Sequence, residues 1–115
     1  MFLRDFVQKI QKEERFSVVN FGDSPEDELT KVFCCDLLSI AMSKAPVYGI
    51  WVTVIANINT LAVAALTETS CVILAEGVKA DEALQKKANM EGICLLETEL
   101  PVFEAACAAN RCLHE

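Results

Sequence analysis

Apolar positions near the start of the chain recur at spacings of three and four. Phe2, Leu3, Phe6, Val7 and Ile10 share one face, while Arg4, Asp5, Gln8, Lys9, Gln11 and Lys12 lie largely off it. This period predicts an amphipathic helix over 2–13. The pattern then changes. Phe16 to Phe21 reads as a short strand, closed by the turn residues Gly22-Asp23-Ser24-Pro25 and followed by the acidic surface segment Glu26-Asp27-Glu28. Leu29 to Cys35 is rich in β-branched and apolar residues and predicts a second strand. Asp36 is placed to cap a helix over Leu37 to Lys44, which Ala45-Pro46 stops.

The second half alternates more regularly. Gly49 opens a strand over Ile50 to Ile55 that is apolar on both sides except at Thr53, as expected of a central strand in a covered sheet. Asn57-Ile58-Asn59 forms a loop, and either asparagine can cap an alanine-rich helix over Thr60 to Thr69. Cys71 to Ala75 is a strand ended by a Glu76-Gly77 turn. Asp81 to Glu91 is a helix with Ala83, Leu84, Lys87, Ala88 and Glu91 at helical spacing, closed by Gly92. Ile93 to Leu96 is the fifth strand. Glu97 or Thr98 leads into a last helix with Pro101 in its first turn and Val102, Phe103, Ala106 and Ala109 on its apolar side. Strand and helix alternate with short connections, which predicts one α/β domain over 1–115: a mainly parallel sheet of about five strands with helices on both faces.

Length and composition agree with that architecture. The chain has 115 residues, 53% of them hydrophobic, enough for one core. Its net charge of −7 repels phosphate backbones, and its basic residues are dispersed, so nucleic acid is not an expected partner. Charge at Arg4-Asp5 falls where the apolar segment of a secretory signal would sit. The apolar stretch from Val47 to Leu66 has the length of a membrane span. Thr53, Asn57, Asn59 and Thr60 interrupt it, and a strand, turn and helix explain it better. The six cysteines include no C-x-x-C pair, and Cys71 and Cys94 lie within apolar runs. They read as reduced, buried residues of a cytoplasmic protein.

The sequence carries little chemistry. The four glycines, Gly22, Gly49, Gly77 and Gly92, are too far apart for a phosphate-binding P-loop or a dinucleotide fingerprint, so no cofactor is expected. His114 is the only histidine and lies next to the end of the chain, a poor place for a catalytic base. Cys34, Cys35, Cys107 and Cys112 are the one set to weigh as metal or iron–sulfur ligands, and their spacing argues against it. In open α/β sheets, ligands bind beyond the carboxyl ends of the strands. Here those ends carry Asn57, Asn59, Thr60, Glu76, Gly77 and Thr98, which are the candidate ligand-binding residues. Helix capping alone also explains Asn and Thr at these positions.

Several segments, in order and spacing, are similar to the DRTGG domain family. They are Asp36-Leu37-Leu38-Ser39, Ile50-Trp51-Val52-Thr53-Val54, Asn59 to Leu66, and Glu91-Gly92-Ile93-Cys94-Leu95-Leu96 followed by Thr98 and Phe103. The resemblance spans Glu28 to Leu113. Such domains occur in relatives of HPr kinase/phosphorylase, in certain phosphotransacetylases, between CBS domains of some pyrophosphatases, and as small stand-alone proteins. The resemblance implies a three-layer α/β/α domain like the HPr kinase N-terminal domain, of regulatory or scaffolding type. Relatives with kinase activity carry it on a separate P-loop domain. The family's name-giving turn falls at Glu28-Leu29-Thr30-Lys31-Val32, where Lys31 and Val32 stand in place of two glycines. Asn57-Ile58 stands where many relatives carry a histidine and a proline.

Function is therefore expected to lie in association: a non-catalytic module that forms a homodimer or binds another protein of its pathway. A sensor of a small molecule, such as a nucleotide or metabolite, is the alternative, with a phosphotransferase-related enzyme behind both. The apolar content supports association, because a small domain buries only part of its surface.

Overall fold

A computed structural model describes residues 1–13 and 15–115. Helix α1 (Leu3–Gln11) precedes strand β1 (Phe16–Asn20). Then follow β2 (Val32–Cys34), α2 (Leu38–Lys44), β3 (Ile50–Thr53), α3 (Ile58–Leu66), β4 (Cys71–Leu74), α4 (Glu82–Glu91), β5 (Cys94–Thr98) and α5 (Val102–His114). The five strands form one sheet in the order β1-β5-β4-β3-β2. β2 to β5 are parallel, and β1 joins β5 antiparallel.

Three crossovers in succession step the same way across the sheet, so their helices share one face. Parallel connections are right-handed, and this places α2, α3 and α4 together. The opposite face is covered by α1 and α5. Alternation along the strands sorts the core accordingly. Ile50, Val52, Cys71, Ile73, Cys94 and Leu96 pack under α1 and α5. Trp51, Val72, Leu74 and Leu95 pack under the other three helices. Every residue of β3 and β4 is buried, as their two-sided apolar sequences require. Trp51 is wholly buried, and its indole N–H donates to the Cys35 carbonyl at 2.9 Å.

The amphipathic stripe of α1 holds: Leu3, Phe6, Val7 and Ile10 are buried. Each such side chain contributes roughly 1.5–3 kcal/mol relative to an exposed position. Phe2 falls outside the helix and lies under the Arg4 guanidinium, 4.9 Å from ring centroid to Cζ.

Several boundaries differ from the sequence reading. The strand expected over Leu29–Cys35 shrinks to Val32–Cys34, because Leu29 and Thr30 bond away from the sheet, to the Met1 and Tyr48 carbonyls. Asp36 does not cap α2. The residue before that helix is Leu37, which makes no side-chain cap. β3 ends at Thr53, where the Thr53 hydroxyl accepts from Ile55 N and turns the chain. α3 starts at Ile58 with Asn57 as its cap, so Thr60 lies inside the first turn. β5 runs on to Thr98 because β1 pairs with it as far as Phe16↔Thr98. On α4, Leu84 and Ala88 are buried but Ala83 is exposed. Pro101 is the cap residue of α5, and Phe103 points to solvent, 74% exposed. The buried side of α5 is Ala105, Ala108, Ala109, Cys112 and Leu113.

Candidate functional site

The parallel strands all end at one edge, and the candidate ligand residues gather along it. Asn57, Asn59 and Thr60 follow β3, Glu76 and Gly77 follow β4, and Thr98 ends β5. Topology thus brings together positions separated by up to 41 residues, 98 less 57. What each side chain does there differs.

Thr60 is 1% exposed, and its hydroxyl donates to the Ile55 carbonyl at 2.7 Å. Thr98 is 2% exposed; it donates to the Arg15 carbonyl at 2.7 Å and accepts from Leu100 N at 3.2 Å. These threonines fasten the strand ends to their neighbours. Asn57 Oδ1 accepts from Asn59 N at 2.6 Å and caps α3. Glu76 Oε2 accepts from Val102 N at 2.8 Å and satisfies the first turn of α5. Glu76 and Gly77 both take left-handed backbone, with φ of 61° and 75°. This pair reverses the chain so that Gly77 N donates to the Thr98 carbonyl at 3.0 Å. A Cβ at Gly77 would meet Glu99 Oε2 at 2.7 Å, so the glycine also leaves room for that carboxylate. Asn59 alone among the six candidates is exposed with its side-chain amide in no hydrogen bond among the described residues.

Two carboxylates outside the six candidates also belong to this edge: Asp36, which the sequence reading made a helix cap, and Glu97. Asp36 Oδ1 accepts from the Thr53 hydroxyl at 2.8 Å and from Val54 N at 3.0 Å, tying the end of β2 to the end of β3. Glu97 Oε2 accepts from Ala80 N at 2.6 Å. Lys79 lies 3.8 Å from Glu97 and 3.4 Å from Glu99. A depression of about 230 Å³ there is lined by Arg15, Ser17, Lys79, Glu97, Thr98 and Glu99 among others. It includes neither asparagine. With Asp36, Glu76, Glu97 and Glu99 against Lys79 and Arg15, the edge is acidic, so a phosphate-bearing ligand there would have to bring a counter-cation such as magnesium. An acidic residue just after an apolar strand was the signal that could have flagged Asp36.

The turn at Glu28, Thr30, Lys31 and Val32 lies at the opposite end of the sheet. Thr30 N donates to the Tyr48 carbonyl at 3.0 Å and its hydroxyl to the Val47 carbonyl at 2.7 Å. Lys31 O accepts from Ile50 N at 2.9 Å, Val32 begins β2, and Glu28 bridges Phe2. Tyr48 itself has φ 56°, and Thr30 holds it in that conformation from one side while the Glu68 carbonyl accepts its N–H at 2.8 Å from the other. The turn is therefore a clamp on the Val47–Tyr48 corner, remote from the carboxyl-end residues.

The cysteines do not converge. Cys71 and Cys94 are register partners, buried under α1 and α5, and hydrogen bonding between them with burial pushes the Cys71 thiol well up. The Cys34 thiol is raised by burial, then by Asp36 and Cys107. Cys35 lies on the other side of the strand and donates to the Leu37 carbonyl at 3.3 Å. Burial also raises Cys112. An upward shift keeps these three thiols protonated at neutral pH and weakens them as nucleophiles. Among the described residues, no group of three or more His, Cys, Asp or Glu side chains is arranged to hold a metal ion. Nor is any described helix long and apolar enough to cross a membrane.

No family model matches the sequence, and no curated protein matches it. Among solved structures, the chain is similar to the CBS and DRTGG domains of the regulatory region of Clostridium perfringens pyrophosphatase, crystallised with the activator diadenosine tetraphosphate. The TM-score is 0.69 at 12% identity, covering 97% of this chain and 47% of that one. The chain thus spans about half the length of that structure, and the likeness supports a DRTGG-like α/β fold.

Proposed function

We propose that this chain is a regulatory and interaction module without catalysis of its own, which works by associating with a second copy of itself. The observation that carries the reading is the fold: nearly the whole chain is similar to part of the regulatory region of an enzyme. The site chemistry is in keeping with it, since the threonines at the strand ends are engaged in holding the sheet together. All six cysteines are free, which supports a reducing, cytoplasmic setting. The acidic charge disfavours nucleic acid as the partner. Light scattering on the eluting protein tests association: a mass of twice 12.6 kDa is expected at tens of micromolar, and a clean monomer sinks the reading. ATP turnover by the purified chain, lost on a defined substitution, would instead establish an enzyme.

A second reading is favoured by the nucleotide bound to the similar structure. In it the module senses a small ligand at the carboxyl ends of β3 to β5, with Asn59 as the free polar group and Asn57, Thr60, Glu76, Gly77 and Thr98 shaping the ledge. A thermal-shift comparison of adenine nucleotides, diadenosine tetraphosphate included, with and without magnesium tests it. A bound ligand raises the melting temperature in proportion to ln(1 + [L]/Kd). Asn59→Ala is expected to remove that rise while leaving the unliganded melting temperature unchanged. No rise with any of these nucleotides sinks a nucleotide sensor.

A further inference from the structure

We propose that the outer side of β2 is the surface through which two copies join, their β2 strands pairing antiparallel to continue the sheet. This inference rests on the association reading and gives it a place in the fold. Among the described residues, β2 is an edge strand with no neighbour on its outer side. On its inner side, Lys31 O accepts from Ile50 N and Cys35 N donates to Val52 O. Alternation along the strand therefore turns the groups of Phe33 inward and those of Val32 and Cys34 outward. No hydrogen bond from a described residue outside the sheet reaches Val32 or Cys34.

The pattern is complementary to itself. With a two-fold axis at Phe33, Val32 of one copy faces Cys34 of the other, twice. Each such pair exchanges both N–H and C=O groups, while the two Phe33 residues meet as the non-hydrogen-bonded pair between them. The other edge of the sheet does not offer this, because β1 is bulged between Val18 and Asn20.

The flank of β2 fits the same partner. α2 runs antiparallel to β2 in a right-handed connection, which turns its Leu37, Ile40 and Lys44 side outward past β2 and its Met42 side toward α3. Leu37 is 54% exposed and Ile40 44%. The two-fold axis sets the apolar sides of both α2 helices against each other above the Phe33 pair. Charge fits too. Lys31 and Lys44 lie at one end of this rim and Asp36 at the other. Antiparallel pairing brings the lysines of each copy to the Asp36 of its partner, whereas parallel pairing would stack like charges.

The test uses the intact chain. Ile40→Glu places two carboxylates across the axis, and Cys34→Pro removes an outward N–H, a change that an edge strand tolerates. Each is expected to weaken the dimer about tenfold or more, measured by sedimentation equilibrium. Met90→Glu on α4, at an 80% exposed position, is expected to leave it intact. If the wild type is monomeric, the association reading falls and this surface with it. If a dimer survives both substitutions with an unchanged circular dichroism spectrum, association stands and this surface is wrong. Hydrogen exchange on the wild type gives an answer independent of any variant's folding. The Val32 and Cys34 amides are expected to exchange about tenfold slower at high protein concentration than at low, and concentration-independent exchange there overturns the proposal.

Discussion

At the carboxyl ends of β3 to β5, the polar side chains face inward to work. Thr53, Thr60 and Thr98 are almost wholly buried, and each hydroxyl bonds to a backbone or carboxylate partner. Along the outer side of β2 the situation is reversed: backbone donors and acceptors face outward beside exposed Leu37 and Ile40. The first region looks like a binding site by residue type and by topology, yet most of its groups are already used. The second carries few residues that read as chemistry, and its outward backbone groups have no partner among the described residues. Availability, more than polarity, separates a surface that can take a partner from one that holds the fold together.

The largest way to break this contrast is to unmake one of the inward bonds. Thr53→Val removes the hydroxyl held between Asp36 and Ile55 N and leaves the carboxylate short of a donor. A loss of about 2–3 kcal/mol is expected in urea unfolding. A loss within 0.5 kcal/mol, the ordinary effect of a surface change, would mean that this edge is less engaged than the geometry shows.

Thiols extend the contrast from the interior to the edge. Hydrogen bonding with Cys94, and then burial, push the Cys71 thiol well up, while the unfolded thiol titrates near about 8.5. Above that value the unfolded chain releases a proton that the folded chain keeps. The stability from this thiol is whole below the unfolded value and is lost as pH rises toward the folded one. The slope is about 1.4 kcal/mol per pH unit. Unfolding measured from neutral to alkaline pH is expected to be flatter in Cys71→Ala than in the wild type. Cys34→Ala at the exposed edge is expected to change the slope less, and equal effects would erase the distinction.

Smaller effects sharpen the contrast within the carboxyl-end ledge itself. Asn57→Ala removes the cap of α3 and is expected to cost about 1 kcal/mol, read as a lower urea midpoint at unchanged m-value. Asn59→Ala, two residues on, is expected to change stability by less than about 0.5 kcal/mol. Were the two to cost the same, Asn59 would be structural and the ledge would have no free amide for a ligand.

Much of this was readable in the sequence. The period of α1, the two-sided apolar runs of β3 and β4 and the Gly92 cap of α4 lie in short, local patterns, and each is where the pattern puts it. Errors arose where a distant residue decided the matter. Asp36 was read as a local cap, but Thr53 and Val54, brought alongside by strand pairing, claim it. Thr98 was placed after the strand, but β1 extends β5 that far. On α5, Phe103 was put inside because it is large and apolar, whereas the helix packs through its alanines, which let it approach the sheet closely. At the candidate site the sequence grouped residues that the fold does bring to one edge of the sheet. It did not tell an asparagine that caps a helix from one that is free, because that depends on where a hydrogen bond ends.

The antiparallel pairing of β1 with β5 has a consequence in time as well as in space. β2 to β5 are consecutive in the chain and adjacent in the sheet, so each can dock on the one before it through a single helical crossover. β1 precedes them all, yet its register partner for Phe16 is Thr98, 82 residues further on (98 less 16). Closing so long a loop is slow, and the loss of chain freedom comes before the contact repays it. Until β5 forms, β1 has no strand to pair with. The earliest strand of the chain is thus expected to be the last to pair, which a lower folding-rate sensitivity to substitutions in β1 than in β3 or β4 would check.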